Sequence, residues 1–143
     1  MKIHIIFTVL ILFLFINFKN VNSSEKNYFN EAVSFFKKKN FKKAKFKFEQ
    51  DIVFNPKNHQ SYLYLAKIFN EQKNVEQEES NLNTVILIHP QNEEATLALA
   101  KLNLKKSNFS ETKKLINKFK KICKIDCTKS LSVEKDLKNS LNK

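Results

Sequence analysis

The sequence predicts an all-α solenoid, three helix-turn-helix hairpins in a row closed by a short C-terminal helix. Three observations carry that expectation. Residue types recur at a period of 34, the mark of a repeat architecture. Within each period the apolar residues step by three and four, as one face of a helix requires. The chain also has no glycine, and an asparagine recurs at the point between two helices where a turn is needed. At 143 residues the chain suggests one domain. The missing glycines exclude phosphate loops and dinucleotide fingerprints, which need residues without a Cβ.

Residues 1–23 come first and differ from everything after them. Lys2 is followed by an apolar run over 3–16, broken only by His4 and Thr8, and the stretch exits through Val21-Asn22-Ser23. An apolar run of about 14 residues suits a secretory signal, cleaved after Ser23, better than a membrane span, which needs roughly 20. The expectation is therefore an exported protein, periplasmic by preference. Secretion from the cell, or a retained N-terminal helix anchored in the inner membrane, are the alternatives.

The repeats occupy 25–58, 59–92 and 93–126. In the first, Tyr28, Ala32, Phe35 and Phe36 share one helical face, and Phe41, Ala44, Phe48 and Ile52 share a second. The eighth place is Ala32, Ala66 and Ala100, small enough for two helices to approach closely. The sixteenth is Asn40, Asn74 and Asn108, expected to take the left-handed conformation that closes a helix. Pro56 and Pro90, 34 residues apart, end the second helices. Residues 127–143 are expected to form a capping helix or tail. There Ser130 or Ser132 is expected to cap a helix with Val133, Leu137 and Leu141 on its apolar side.

Taken together these places resemble the tetratricopeptide repeat. The first block matches through Tyr28, Ala32, Phe35, Ala44, Phe48 and Pro56. The second keeps Tyr62, Leu65, Ala66, Phe69, Leu82 and Pro90 but has Glu78 where a small residue is expected. The third holds Leu99, Ala100 and Ile116, with Thr96, Asn103 and Lys124 at three signature places. The resemblance implies a right-handed superhelix whose first helices line a concave groove for a segment of a protein or peptide partner. It places Lys26, Phe29, Val33, Phe36 and Lys37 on that groove in the first repeat. Gln60, Leu63, Lys67, Asn70 and Glu71 follow in the second, and Glu94, Leu97, Lys101, Leu104 and Lys105 in the third. An apolar ladder of Phe29, Leu63 and Leu97 beside Lys67 and Lys101 would suit an apolar peptide bearing a carboxylate. The ladder residues packing only on their neighbours is the alternative. The family's chaperone-binding carboxylate clamp is not matched, because Phe29, Val33, Tyr64, Glu94 and Ala98 stand at its places.

Charge is uneven. Net charge is +12, from 26 lysines and no arginine against 14 acids, and it falls to +10 without Lys2 and Lys19. Segments 24–58, 59–100 and 101–143 carry +5, −4 and +9. Export and the absence of arginine argue against nucleic acid as partner. An anionic membrane or cell-wall contact suits the lysine-rich ends. Cys123 and Cys127, four apart, are expected to form a disulfide in an oxidising compartment, with a redox-active pair as the alternative. No metal site, cofactor or catalytic constellation is expected, and Glu76, Glu78 and Glu79 read as a solvated helix face. The function these residues suggest is a non-catalytic interaction scaffold of the cell envelope. Its rivals are a thiol-redox accessory using the two cysteines and a membrane-anchored repeat protein.

Overall fold

The structure, a computed structural model, describes residues 27–142. The expected export segment and Lys26 lie outside the described residues. Asparagine decides where the helices begin. Asn27, Asn40, Asn58, Asn74, Asn92 and Asn108 each turn a side-chain oxygen onto a backbone N–H two or three residues on, satisfying a donor the first turn leaves free. The helices that follow are α1 (Tyr28–Lys37), α2 (Phe41–Phe54), α3 (His59–Glu71), α4 (Val75–Ile88), α5 (Glu93–Lys105) and α6 (Phe109–Ile122). A single 3₁₀ turn, Cys127–Lys129, leads into α7 (Ser130–Leu141).

The asparagines at the turns do not take the left-handed conformation that the sequence suggested. That falls one residue earlier, on Lys39, Lys73 and Ser107, with φ of 57°, 57° and 59°. The hydrogen bonds explain the division of labour. The N–H groups of Asn40, Asn74 and Asn108 reach back to the carbonyls of Phe35, Phe69 and Asn103, closing the finished helix in a Schellman motif. Each asparagine then caps the next helix with its side chain. That second task uses the asparagine amide oxygen as acceptor, and the left-handed position falls on the residue before.

Each helix packs on the next in sequence, giving three hairpins side by side, with α7 covering α6 and α5. Ala32, Ala66 and Ala100 are buried at the helix crossings. The core has two parts. One, in the first repeat and the near side of α3, is aromatic: Phe48 and Phe69 with Phe29, Phe35, Phe36, Phe41 and Tyr64 around them. The other, in repeats two and three and under α7, is mainly aliphatic, with Leu82, Val85, Leu99, Leu102, Ile116 and Val133. The eroded third repeat buries Thr96 and Asn103, whose side chains donate to the carbonyls of Asn92 and Leu99 one turn back, so neither is left without a partner.

Buried Asp51 ties the first repeat to the second. It accepts hydrogen bonds from Asn55, Asn58 and the Ser61 hydroxyl at 3.1, 2.7 and 2.5 Å. Helix α7 departs from expectation in two respects. Ser130 lies inside its first turn and donates to Glu134 at 2.7 Å, so neither serine is the N-cap. Leu141 is exposed, while Val133 and Leu137 are buried as their spacing predicted. Lys120, 2.7 Å from Glu134, and the Ser130 hydroxyl hold that carboxyl below the usual carboxylate range. Cys123 and Cys127 are joined by a disulfide with Cα atoms 5.6 Å apart, and the Lys124 N–H donates to Glu93 at 3.0 Å, which fastens the loop to α5. Among the described residues no helix is long and apolar enough to cross a membrane. Nor is any group of three His, Cys, Asp or Glu among them placed to hold a metal ion.

Candidate functional site

Small side chains on α3 and α5 leave space where those helices face the same side of the solenoid. Leu63 and Ala66 on α3 and Ala98 and Leu102 on α5 form an apolar floor. Leu82 and Glu78 of α4 form part of the wall, and Ser132, Val133 and Asp136 of α7 close one end. The hollow measures about 680 Å³, within the range of clefts that hold ligands.

Of the fifteen residues placed on the groove, Leu63, Lys67, Asn70, Glu71, Glu94, Lys101, Leu104 and Lys105 line this cavity. Leu97 instead lines a neighbouring hollow of about 460 Å³ with Glu93, Phe119 and Lys129. Phe29, Val33 and Phe36 line neither; they are half-buried and pack against the aromatic core. The cause is Tyr64, whose ring stacks on Phe48 at 4.9 Å and meets Phe36 and Phe29 edge-on at 5.0 and 6.0 Å. It packs among the aromatic residues of the first repeat, while the 680 Å³ hollow lies between the second and third.

Charge in the groove also differs from the sequence expectation. Lys67 is not a free ammonium: its Nζ lies 2.8 Å from Glu94 and 4.9 Å from the Tyr64 ring centre. Lys101 has no carboxylate within ion-pair distance among the described residues. With Lys105, these lysines face Glu71, Glu78, Glu94 and Asp136, so acids outnumber bases on the lining. Glu78 is not part of a solvated face. It is 7% exposed and accepts a hydrogen bond from Asn70 at 2.9 Å, whereas Glu79 pairs at the surface with Lys106. The signal was in the sequence, since Ala44 and Thr112 occupy the same place in the other repeats.

No family model matches this sequence, and no curated protein matches it. Solved structures do. The Arabidopsis OM64 TPR domain superposes with a TM-score of 0.69 at 20% identity, over 78% of this chain and 91% of that one. The Yersinia enterocolitica type III secretion translocator chaperone SycD reaches 0.75 at 10% identity, over 87% and 90%; its complex with a peptide of the translocator YopD reaches 0.71 at 13%, over 87% and 98%. The first TPR of Spaghetti (RPAP3), bound to the HSP90 peptide SRMEEVD, gives 0.72 at 12%, over 87% and 100%. With three capped hairpins in register and these neighbours, the chain has the fold of a tetratricopeptide-repeat domain.

Proposed function

We propose that this protein is a non-catalytic interaction scaffold that holds a segment of a protein partner in the groove between its second and third repeats. The observation that carries this is the cavity itself, an open concave site built on rigid helices with an apolar floor. Two of the similar structures hold peptides, of HSP90 and of YopD, which supports the same use here. The segment that fits is apolar. A carboxylate terminus is disfavoured, because the clamp places hold the apolar or aromatic Phe29, Val33 and Tyr64, which pack against the core, together with Glu94 and Ala98, and because the lining is richer in acids than in bases.

The lysine and apolar run at the start of the chain, together with a disulfide in a small helical protein, support an exported scaffold of the cell envelope, periplasmic by preference. The groove is tested by replacing Ala98, on the floor, with Asp, and Leu87, exposed on α4 away from the groove, with Asp as control. Partner captured from an envelope fraction should be lost with Ala98→Asp and kept with Leu87→Asp, both variants retaining wild-type helical circular dichroism. Equal capture by the two folded variants would refute the groove.

A further inference from the structure

Beyond the groove, the third repeat carries a feature that a peptide scaffold does not require. Ile125 stands at the tip of the loop closed by the Cys123–Cys127 disulfide and is 94% exposed. The loop is held twice over, by that bond and by the Lys124 N–H on Glu93, so the isoleucine is fixed outward. Leu131, just beyond the loop, is 58% exposed. Lys121 and Lys124 precede the tip, while Asp126 follows it and pairs with Lys129 at 3.7 Å. Along α6, Lys114, Lys118 and Lys121 recur at helical spacing on the side away from buried Leu115, Ile116 and Phe119, a row running toward the loop. Among the described residues only Lys114 of that row has a carboxylate within ion-pair distance, Glu111 at 3.2 Å.

We infer that this end of the molecule, the lysine row of α6 with Ile125 and Leu131 at its foot, docks on an anionic lipid surface. Lysine ammoniums sit at headgroup phosphates while an apolar tip enters the acyl boundary, the division of labour of interfacial protein segments. An anionic polymer would satisfy the lysines but offer nothing to Ile125, which is why lipid is the occupant. The acidic segment 59–100, at −4, is repelled by such a surface and leaves the third-repeat end as the contact.

Sedimentation with vesicles tests this, comparing phosphatidylcholine alone with phosphatidylcholine mixed with phosphatidylglycerol. All variants keep the same N-terminus, so any contribution of residues 3–16 cancels. The protein should bind the mixed vesicles and lose affinity as salt rises. Ile125→Ser, at a site too exposed to affect folding, should weaken binding about tenfold. Replacing Lys114, Lys118 and Lys121 together by Gln should weaken it about a hundredfold. No binding to mixed vesicles, unchanged binding of Ile125→Ser, or binding to an isolated anionic polysaccharide in place of vesicles would each overturn the inference.

Discussion

The first repeat and the third share one backbone plan and fill it differently. At the twenty-fourth place the first repeat has Phe48 and the third Ile116; on the concave side the first has Phe29 and Phe36 with Tyr64 reaching in from α3, and the third has Leu97, Ala98 and Lys101. Aromatic rings pack on one another in repeat one, and shorter side chains border the hollow between repeats two and three. Groove position in this solenoid is therefore set by side-chain volume on an almost constant scaffold. Helix α3 joins the two regimes: Leu65, Ile68 and Phe69 belong to the aromatic part, Leu63 and Ala66 to the aliphatic part.

The comparison breaks most visibly at Phe48. Its ring is fully buried, stacks on Tyr64 and lies 5.9 Å from Phe29, so truncation leaves a cavity inside an interlocked aromatic set that has little freedom to collapse. Phe48→Ala should destabilise by about 3–5 kcal/mol, read from urea unfolding followed by circular dichroism. Ile116→Ala, at the same place in the third repeat, should cost less, because fewer atoms are lost and the aliphatic neighbours can shift inward. If the two substitutions cost the same, the distinction between the two cores has no energetic meaning.

What the sequence made legible follows from the same division. Periodicity exposed the scaffold, since Ala32, Ala66 and Ala100 and the turn asparagines recur at places that backbone geometry dictates. The groove was half legible. A place number says which helix face a side chain leaves from, and Leu63, Asn70 and Leu104 could be assigned to the concave side on that ground. It does not say how rings from the next helix pack beside that face, and Phe29, Val33 and Phe36 stand half-buried against the aromatic core, beside Tyr64. Nor does it pair charges across repeats: Lys67 meets Glu94, 27 residues on, only because α3 and α5 are neighbours. Asp51 left a fainter trace, a carboxylate where the second and third repeats have Val85 and Phe119.

The turns sharpen the comparison from the other direction, since they are the same in both regimes. Lys39, Lys73 and Ser107 all occupy left-handed backbone that disfavours any residue with a Cβ. Lys39→Gly, Lys73→Gly and Ser107→Gly should each stabilise by about 0.5–1 kcal/mol, through relief of that strain net of the entropy glycine adds to the unfolded chain. Thermal melts of the three single variants should rise by similar amounts. A gain confined to one end of the solenoid would mean that the surrounding core, and not the turn, sets the cost.

The smallest effect separates the regions by pH. His59, at the start of α3, is partly desolvated and its ring centre is 4.5 Å from that of His89; burial first, and then the neighbouring imidazole, hold its pKa below the ordinary histidine value. Its Nε2 lies 3.1 Å from the Gln60 amide nitrogen, a bond that needs the unprotonated ring. The folded protein thus binds fewer protons here than the unfolded chain. This stability is complete above the ordinary histidine pKa of about 6.5 and is lost as pH falls through the lowered folded value. Glu134 under α7 also has a lowered pKa, so its contribution is complete above the ordinary carboxylate pKa of about 4.3 and disappears only in stronger acid. Urea midpoints measured against pH should therefore fall in two steps, the first at repeat two and the second at the cap and the loop before it, where the Thr128 hydroxyl also holds Asp126 below the usual carboxylate range. His59→Gln should remove the first step and leave the second; a His59→Gln curve that still declines between about pH 7 and 5 would assign that step to other groups.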